Sequence, residues 1–261
     1  MEISHNITGK MMRILLLGMW LDTISYAATL ELVIVWAHAL ESRYVCIANV
    51  HVLMQAFDSA EYKQIVNSAD LVTPDGVPLV WMMRLKGQRG QQRVYGPTLM
   101  LHVLESAAKE KIPVGFYGSK PEVLHVLAKR MQAHYEGLNV AYSCSPPFRT
   151  VSKEEDAVIV DEINRSGTRI LFVGLGCPKQ EIWMAEHRGV VNAVMLGVGA
   201  AFDFHAGVKA QAPAWLQKVG LEWIFRLFTE PRRLWKRYFY HNPRFIVLAI
   251  ADLLGLLKKA D

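Results

Sequence analysis

The chain has 261 residues, of which 52% are apolar and 20% are charged, a composition typical of a globular protein and not of a disordered one. This length suits one sizeable α/β domain, or a main domain with a small appendage. The formal net charge of +5 is uneven, because residues 205–261 contain ten basic and four acidic residues while residues 1–204 are nearly balanced. The excess positive charge therefore lies in the last fifth of the chain, where it indicates an acidic partner or surface.

The sequence predicts no membrane span, no secretory signal and no cysteine motif. No apolar run reaches the roughly 18 residues that span a bilayer, and the longest candidate, 245–257, contains Asp252 and predicts a buried or surface-lying helix. The early Glu2 and the lack of a small-residue cleavage site argue against a secretory signal. The three cysteines lie far apart and form neither a disulfide framework nor a metal or redox pair. We therefore expect a cytoplasmic protein.

Apolar, β-branched runs alternate with helix-like stretches through most of the chain. Residues 12–24 suggest an N-terminal strand or hairpin. Strands are then predicted at 43–51, 69–73, 113–117, 138–142, 169–173 and 192–196, and amphipathic helices at 52–67, 97–110, 120–135, 153–166 and 179–188. This alternation predicts a mostly parallel sheet with helices on both faces. We expect residues 1–204 to form this α/β core and residues 205–261 to form a basic, aromatic-rich helical appendage.

Polar residues and glycines follow several of the predicted strands. In an open parallel sheet, ligands bind outside the carboxyl ends of the strands, so these residues should share one binding edge. The residues at this edge are Asn49, Asp75, Gly118, Gly174, Gly176, Gln180, Gly199 and Asp203.

One of these strand ends, VGLGCPKQE (173–181), has the composition of a phosphate-facing turn. Glycines let the backbone approach a ligand, and the N-terminus of the following helix offers unpaired N–H groups to an anion. A tight turn without a ligand explains the same residues equally well. Lys179 stands where the third glycine of a dinucleotide fingerprint would be, which argues against a nicotinamide cofactor. Cys177 is either a thiol of lowered pKa or, the better reading, a small packed residue.

Asp75, in TPDG (73–76), is the best placed candidate for a general base. A turn alone also explains an Asp-Gly pair, and an aspartate at its ordinary pKa of about 4 is a weak base. Asp203, in AFDF, is the rival carboxylate, with binding of a ribose or a base edge as its other possible role. The histidines show no paired ligand spacing, there is no Asp-X-Asp motif, and Ser119 does not lie in a nucleophile elbow. No metal site is predicted.

The C-terminal segment combines basic and aromatic side chains at helical spacing. Beyond Pro231 the basic residues are expected on one face and the aromatic residues on another, as an interfacial helix on an anionic leaflet requires. A docking helix with a solvated basic face is the alternative, and a nucleic-acid site suits the aromatic stripe less well. The apolar stripe preceding Pro231 comprises Leu221, Ile224, Phe225 and Phe228, the basic face Arg232, Arg233, Lys236 and Arg237, and the aromatic face Leu234, Trp235, Tyr238 and Phe239.

Several motifs occur together in a fixed order. They are NVHVLM (49–54), ADLVTPDG (69–76), RVYGPTLM (93–100), VGLGCPKQE (173–181), GVGAAFDFHAG (197–207), APAWLQ (212–217) and GLEWIFRLFTEPRRL (220–234). From about residue 12 to 245 this series resembles the bacterial WecG/TagA/CpsF glycosyltransferase family, the N-acetylmannosaminyl and N-acetylmannosaminuronosyl transferases of surface polysaccharide and teichoic acid assembly.

The resemblance implies an inverting, metal-independent transfer from a UDP-sugar to a polyprenyl-diphosphate-linked saccharide on the cytoplasmic face of the membrane, without a cofactor. It also implies a Rossmann-like core and a C-terminal appendage that touches the membrane and closes the active site. Asp75 matches the family's proposed base, Asn49 its neighbouring asparagine and Gln180 its glutamine. Arg226 and Arg233 match appendage arginines, and Lys236 stands where another arginine is common.

We therefore predict Asp75 as the base and two groups of binding residues. Substrate binding is assigned to Asn49, Arg93, Gly174, Gly176, Lys179, Gln180 and Asp203. Contact with the diphosphate or the membrane is assigned to Arg226, Arg232, Arg233, Lys236 and Arg237. With no metal site, the charge on departing UDP would be met by the glycine turn, the helix N-terminus and the arginines.

Other classes of protein explain parts of the pattern. A non-catalytic nucleotide-binding membrane adaptor would account for the strand-end residues and the tail, but it needs no strand-end aspartate. A nicotinamide or S-adenosylmethionine enzyme would account for the α/β alternation. The sugar, the polymer and the oligomeric state, a homo-oligomer included, are left open by the sequence.

Overall fold

The computed structural model describes residues 12–257, so the expectation about Glu2 and the start of the chain lies outside it. The described chain begins with an antiparallel hairpin, as predicted, whose strands are β1 (Arg13–Leu16) and β2 (Met19–Asp22). The hairpin is attached to the core because the buried carboxylate of Asp22 accepts a 2.7 Å hydrogen bond from the backbone N–H of Val72.

The main sheet has six strands, and every pairing between them is parallel. The strands are β3 (Arg43–Ala48), β4 (Leu71–Pro74), β5 (Val114–Gly118), β6 (Val140–Cys144), β7 (Ile170–Gly174) and β8 (Val194–Gly197). Their spatial order is β4-β3-β8-β7-β5-β6. Each strand lies within a few residues of its predicted position, which confirms the predicted α/β class.

Helices connect the strands and continue into the C-terminal segment. The core helices are α1 (Tyr26–His38), α2 (Val50–Asp58), α3 (Ala60–Asn67), α4 (Val77–Leu85), α5 (Gly96–Lys109), α6 (Pro121–His134), α7 (Lys153–Arg165), α8 (Lys179–Glu186) and α9 (Ala201–His205). The C-terminal helices are α10 (Ala214–Lys218), α11 (Glu222–Thr229) and α12 (Pro231–Leu253). The boundary predicted between residues 204 and 205 falls inside α9.

The structure differs from the predicted elements in three respects. The helix predicted at 52–67 is two helices, because Ser59 ends α2 and its hydroxyl caps α3 by accepting a 3.2 Å hydrogen bond from the backbone N–H of Tyr62. The helices α1 and α4 were not predicted. The strand predicted at 43–51 ends at Ala48, because Asn49 caps α2.

The sheet is buried on both faces, as expected for parallel strands. One face packs against the hairpin and against α2, α3, α7 and α8, around buried residues such as Cys46, Val72 and Val173. The opposite face packs against α1, α5, α6 and α9, around residues such as Ile47 and Phe172. The core is therefore Rossmann-like, with helices on both faces as predicted.

The helix α12 docks along the core. Its Phe245 and Ala249 are buried in the core cluster on the α2 side of the sheet, and its Arg244 makes two hydrogen bonds to the Asp58 carboxylate of α2, at 2.6 and 2.9 Å. The run 245–257, predicted as a buried or surface-lying helix, thus largely belongs to α12. Among the helices of residues 12–257, none is long and apolar enough to cross a bilayer.

Candidate active site

A cavity of about 490 Å³ opens at the carboxyl ends of β3 and β4, where a binding edge was predicted. The helices α4, α11 and α12 form its walls. Its polar lining includes Asn49, Asp75, Arg93, Glu222, Arg226 and Arg237. Its apolar lining from α4 and α12 includes Trp81, Leu85, Phe245, Ile246, Ile250 and Leu253. The cavity therefore offers charged groups to one part of a ligand and an apolar wall to another.

Asn49 and Asp75 come together because β3 and β4 are neighbours that end in register. The Asn49 side-chain oxygen caps α2 by accepting hydrogen bonds from the backbone N–H groups of His51 and Val52, at 3.0 and 3.3 Å. A Cβ on Gly76 would lie 3.2 Å from the Asn49 Cα, so a glycine after Asp75 permits this close approach. Because its oxygen is committed to the cap, Asn49 can offer a ligand its side-chain NH₂ group.

The Asp75 carboxylate is held by Arg93. Arg93 Nε and Nη2 donate to Asp75 Oδ1, at 3.1 and 2.9 Å, and Nε also donates to the Asp75 carbonyl. Arg93 Nη2 donates as well to Glu222 Oε2 of α11, at 2.8 Å. The guanidinium lies over the ring of Tyr95, 4.0 Å from its centroid. Arg93, predicted to bind substrate, therefore lies in the site with donors directed at two carboxylates.

The environment of Asp75 changes its acidity. Burial of the carboxyl group raises the pKa of Asp75 to about 6; the charge of Arg93 opposes this rise, and the charge of Glu222 adds to it. The group is ionised at neutral pH and is a stronger base than an ordinary aspartate. This value lies near the range in which general bases work best.

Two appendage arginines, Arg226 and Arg237, line the cavity opposite Asp75. Within residues 12–257, the buried Nε atoms of both arginines have no hydrogen-bond partner. Burial lowers the pKa of Arg237, and the neighbouring Arg226 and Arg233 lower it further. Buried donors without partners are costly, so these groups are suited to an anionic ligand with several acceptor oxygens.

Two imidazoles lie beside these arginines. The rings of His51 and His241 are 5.1 Å apart and both line the cavity. Burial, Arg237 and His241 lower the pKa of His51 to about 3, and burial also lowers the pKa of His241. Both imidazoles are therefore neutral at pH 7, so the positive charge of this wall comes from the arginines.

The predicted phosphate-facing turn lies farther along the same edge, after β7. Gly174 packs so tightly that a Cβ would lie 2.5 Å from the ring of Phe202. Gly176 adopts a positive φ of 79°, which favours glycine, and its N–H donates to Gln180 Oε1 at 3.2 Å. Both glycines therefore have structural reasons of their own, and neither lines the cavity at Asp75.

Gln180 is buried and holds the turn in place. Its side-chain NH₂ group donates to the Gly197 carbonyl at 3.2 Å and to Glu181 Oε1 at 2.8 Å, while its oxygen accepts from Gly176. Lys179, next to it, is exposed. Burial raises the pKa of Cys177 to about 12, with Glu181 adding to the rise, which favours the packed cysteine over the reactive one.

Asp203 lies in a different charge network. Its carboxylate pairs with Lys209 at 2.6 Å, and Lys209 pairs in turn with Glu230 at 3.1 Å. Glu230 also pairs with Arg233 at 2.7 Å. Asp203 is not among the residues that line the Asp75 cavity, which contains Asn49 and Asp75. The alternative candidate for the base therefore lies outside this cavity.

The basic face predicted on α12 divides between two environments. Arg237 faces the cavity, whereas Arg232, Arg233 and Lys236 are exposed. The predicted aromatic face divides as well, because Leu234 and Tyr238 are buried while Trp235 and Phe239 are exposed. The outer surface of α12 therefore carries cations and aromatic rings side by side. Between residues 12 and 257, no group of three or more His, Cys, Asp or Glu side chains is arranged to hold a metal ion.

A family profile described as "Glycosyl transferase WecG/TagA/CpsF family" matches residues 14–259. This match covers nearly the whole chain. The protein is thus a glycosyltransferase by class. It belongs to the WecG/TagA/CpsF family, which confirms the resemblance seen in its motifs.

Two relatives carry the same name, N-acetylglucosaminyldiphosphoundecaprenol N-acetyl-beta-D-mannosaminyltransferase. The protein of Bacillus spizizenii is 30% identical over 195 residues, which cover 74% of each chain. The protein of Bacillus subtilis is 29% identical over 190 residues, which cover 72% of each chain.

Four residues of the site were not predicted from the sequence: Tyr95, Glu222, His51 and His241. The signal for Glu222 was weak, since it is one acidic residue in a basic segment and meets Arg93 across 129 positions of sequence. Tyr95 and His51 stand inside the recognised motifs 93–100 and 49–54, so the motif positions were the signal available for them.

Proposed function

We propose that the protein transfers a hexosyl group, of the N-acetylmannosamine type or a related one, from a UDP-sugar to a polyprenyl-diphosphate-linked saccharide. The reaction inverts the anomeric configuration, needs no divalent cation, and contributes to a cell-surface polysaccharide or teichoic acid. The observation that carries this proposal is the Asp75 cavity. It combines a carboxylate of raised pKa, an apolar wall and two arginines whose buried Nε atoms have no hydrogen-bond partner in the part of the chain that the structure describes.

The names of the two relatives support the substrate classes. They specify an acceptor with a sugar, a diphosphate and an undecaprenol chain, and the transfer of an N-acetylmannosaminyl group. The cavity has matching chemistry, because its arginines suit a diphosphate and its apolar wall suits a hydrocarbon chain. In a UDP-sugar the hexosyl group is bonded to UDP, which can leave with the electron pair because its diphosphate stabilises the negative charge.

Asp75 acts as the general base in a single displacement. Its carboxylate accepts the proton of the acceptor hydroxyl as that oxygen bonds to the anomeric carbon of the donor. The bond from this carbon to the UDP oxygen breaks at the same time, and UDP departs with the electron pair. Asn49, one residue past the neighbouring strand, orients the acceptor hydroxyl or the donor sugar through its NH₂ group.

Cationic and dipolar groups stabilise the diphosphate in place of a metal ion. Arg226 and Arg237 each line the cavity with a buried Nε that bonds no other atom of residues 12–257, and a guanidinium can make two hydrogen bonds to a phosphate. The nucleotide lies toward the Gly174–Gly176 turn, with Lys179 and Gln180 beside it. The Gly176 N–H donates to Gln180 Oε1, so it can donate to a phosphate only if Gln180 releases it.

The apolar chain of the acceptor lies in the groove between α4 and α12. Both helices run outward from the charged end of the cavity, and Lys86 and Asp252 form a 2.7 Å ion pair near their far ends. From Val77 to Leu85 the groove is about 12 Å long at the rise of an α-helix. Trp81 and Leu85 of α4 and Ile246, Ile250 and Leu253 of α12 line it.

The enzyme acts as a peripheral protein on the cytoplasmic face of the membrane. Phe228 of α11 and Phe239 of α12 are 81% and 71% exposed, and the cations Arg232 and Lys236 of α12 are exposed as well. Aromatic and basic side chains on one surface are suited to the interface of an anionic leaflet. This surface brings the groove to the level at which a membrane-embedded chain can enter it.

A panel of UDP-sugars offered with short-chain polyprenyl-diphosphate saccharides tests the proposal, with product mass as the readout. We expect one donor to give a product heavier by one hexosyl residue, with stoichiometric release of UDP. Binding of UDP without release or product across the panel would contradict the proposal and would favour the nucleotide-binding adaptor.

A further inference from the structure

Glu222 connects the appendage to the Asp75 site. It is the first residue of α11, and its two carboxylate oxygens reach core residues that follow β4. Oε2 accepts from Arg93 Nη2 at 2.8 Å, and Oε1 accepts from the hydroxyl of Tyr95 at 3.2 Å. The Glu222 side chain is 13% exposed, so water screens this contact little. The acidic residue therefore has a defined partner at each oxygen.

Arg93 is shared between two carboxylates. The same Nη2 atom donates to Glu222 and to Asp75 Oδ1, the second at 2.9 Å, while Nε also donates to Asp75. The ring of Tyr95 lies under the guanidinium, and the Tyr95 hydroxyl accepts a 3.1 Å hydrogen bond from Gln211 Nε2. The guanidinium is thus fixed from three sides, and its position determines where the Asp75 carboxylate points.

One cation between two buried carboxylates cannot neutralise both. Arg93 favours the ionised form of Asp75, whereas the negative charge of Glu222 opposes it. Arg226 of α11 also favours the ionised form of Asp75, and the charge of Asp75 contributes to the raised pKa values of Tyr26 and Tyr95. Among these groups, Glu222 is the one whose charge raises the pKa of Asp75.

We infer that Glu222 is a positioning residue for the proposed base: from the appendage it holds Arg93 against Asp75 and places a second carboxylate on the same guanidinium. This inference rests on the proposed role of Asp75 in sugar transfer. It makes the base dependent on the docking of α11, so the appendage contributes to the chemistry as well as to the binding of a diphosphate or a membrane.

The Glu222→Gln variant tests this role, because the amide oxygen can still accept one hydrogen bond while the negative charge is lost. We expect kcat to fall about tenfold, with the KM for the UDP-sugar changed less than about twofold. The acid limb of the kcat/KM profile should move to lower pH by about one unit, since one like charge near Asp75 has been removed.

Two further variants separate charge from packing. Glu222→Asp keeps the charge and shortens the side chain, so its acid limb should stay at the wild-type position while kcat falls in part. Glu230→Gln removes another appendage carboxylate, one paired with Lys209 and Arg233 and not with Arg93, so it should leave the acid limb unmoved. The melting temperature of each variant is compared with that of the wild type, since a variant that has lost its fold would melt at a lower temperature.

A titration without substrates keeps this test independent of the proposed reaction. The Asp75 carboxyl signal, followed by ¹³C NMR in aspartate-labelled protein and assigned with Asp75→Asn, should titrate at lower pH in Glu222→Gln than in the wild type. An unmoved Asp75 titration and an unmoved acid limb would overturn the inference. A higher kcat in Glu222→Gln would also overturn it, since Glu222 would then be a placeholder for a substrate anion.

Discussion

The backbone N–H of Asp75 donates a 2.8 Å hydrogen bond to the carbonyl oxygen of Ala48. Ala48 is the last residue of β3 and is paired in register with Pro74, the last residue of β4. This bond joins the two strand ends, and it places Asp75 beside Asn49 at the mouth of the cavity. The backbone of the sheet therefore positions the proposed base, so the side chain of Asp75 can be changed with little effect on the fold.

The Asp75→Asn variant should lose turnover while keeping its substrate affinity. An amide is nearly isosteric with the carboxylate but cannot accept the acceptor's proton, so kcat should fall by about 10²–10⁴-fold. Steady-state kinetics measure this fall, and isothermal titration calorimetry measures the dissociation constant of the UDP-sugar. An Asp75→Asn enzyme with wild-type kcat would remove Asp75 from the role of base.

The pH dependence of the wild-type enzyme follows from the raised pKa of Asp75. The base must be ionised to accept a proton, and its pKa is about 6 in the folded protein. The value of kcat/KM should therefore be level above pH 7 and fall about tenfold per unit of pH below 6. A profile that stays level down to pH 4.5 would show that Asp75 does not limit the reaction.

Arg237→Gln should weaken the binding of a diphosphate to the cavity. Its buried Nε has no partner among the described residues and is available to a ligand. The loss of hydrogen bonds from this charged donor should therefore cost about 1.5–3 kcal/mol, or at least about tenfold in affinity. Calorimetry with inorganic pyrophosphate and with UDP checks this. The matched control is Arg232→Gln on the exposed side of α12, which should change these affinities little. Equal losses in both variants would mean that the effect is general electrostatics.

Exposed aromatic residues of the appendage should determine membrane binding. The double variant Phe228→Ser and Phe239→Ser should reduce co-sedimentation with vesicles that contain anionic lipid, because each ring loses its burial in the interface. The matched control is Phe148→Ser, which changes an 80% exposed phenylalanine outside the appendage and should bind like the wild type. Equal vesicle binding by all three proteins would contradict a membrane surface on α11 and α12.

Much of the core was predictable because its signals are local. Buried parallel strands appear in a sequence as apolar, β-branched runs. Because ligands bind at the carboxyl ends of such strands, the sequence alone placed Asn49 and Asp75 at one edge of the sheet. The helix α1 was missed because its apolar residues cover most of its surface and so lack a clear period. In α4, Pro78 in the first turn and a continuous apolar run obscured the helix in the same way.

The rest of the site depends on contacts between distant parts of the chain. No local pattern shows that Arg93 and Glu222 meet, or that Gln180 takes the N–H of Gly176. Helical periodicity grouped Arg237 with the exposed Arg232, but docking of α12 on the core turned Arg237 into the cavity. The functions of such residues follow from tertiary packing, which one sequence shows only through its family motifs.

The proposed reaction is a metal-independent, inverting sugar transfer in the Asp75 cavity. It is tested most directly by incubating the enzyme in EDTA with its UDP-sugar and a short-chain polyprenyl-diphosphate saccharide, and by determining the product's anomeric configuration by NMR. We expect full turnover and a product of configuration opposite to that of the donor. Turnover that stops in EDTA and returns with magnesium or manganese, or a product with retained configuration, would contradict it.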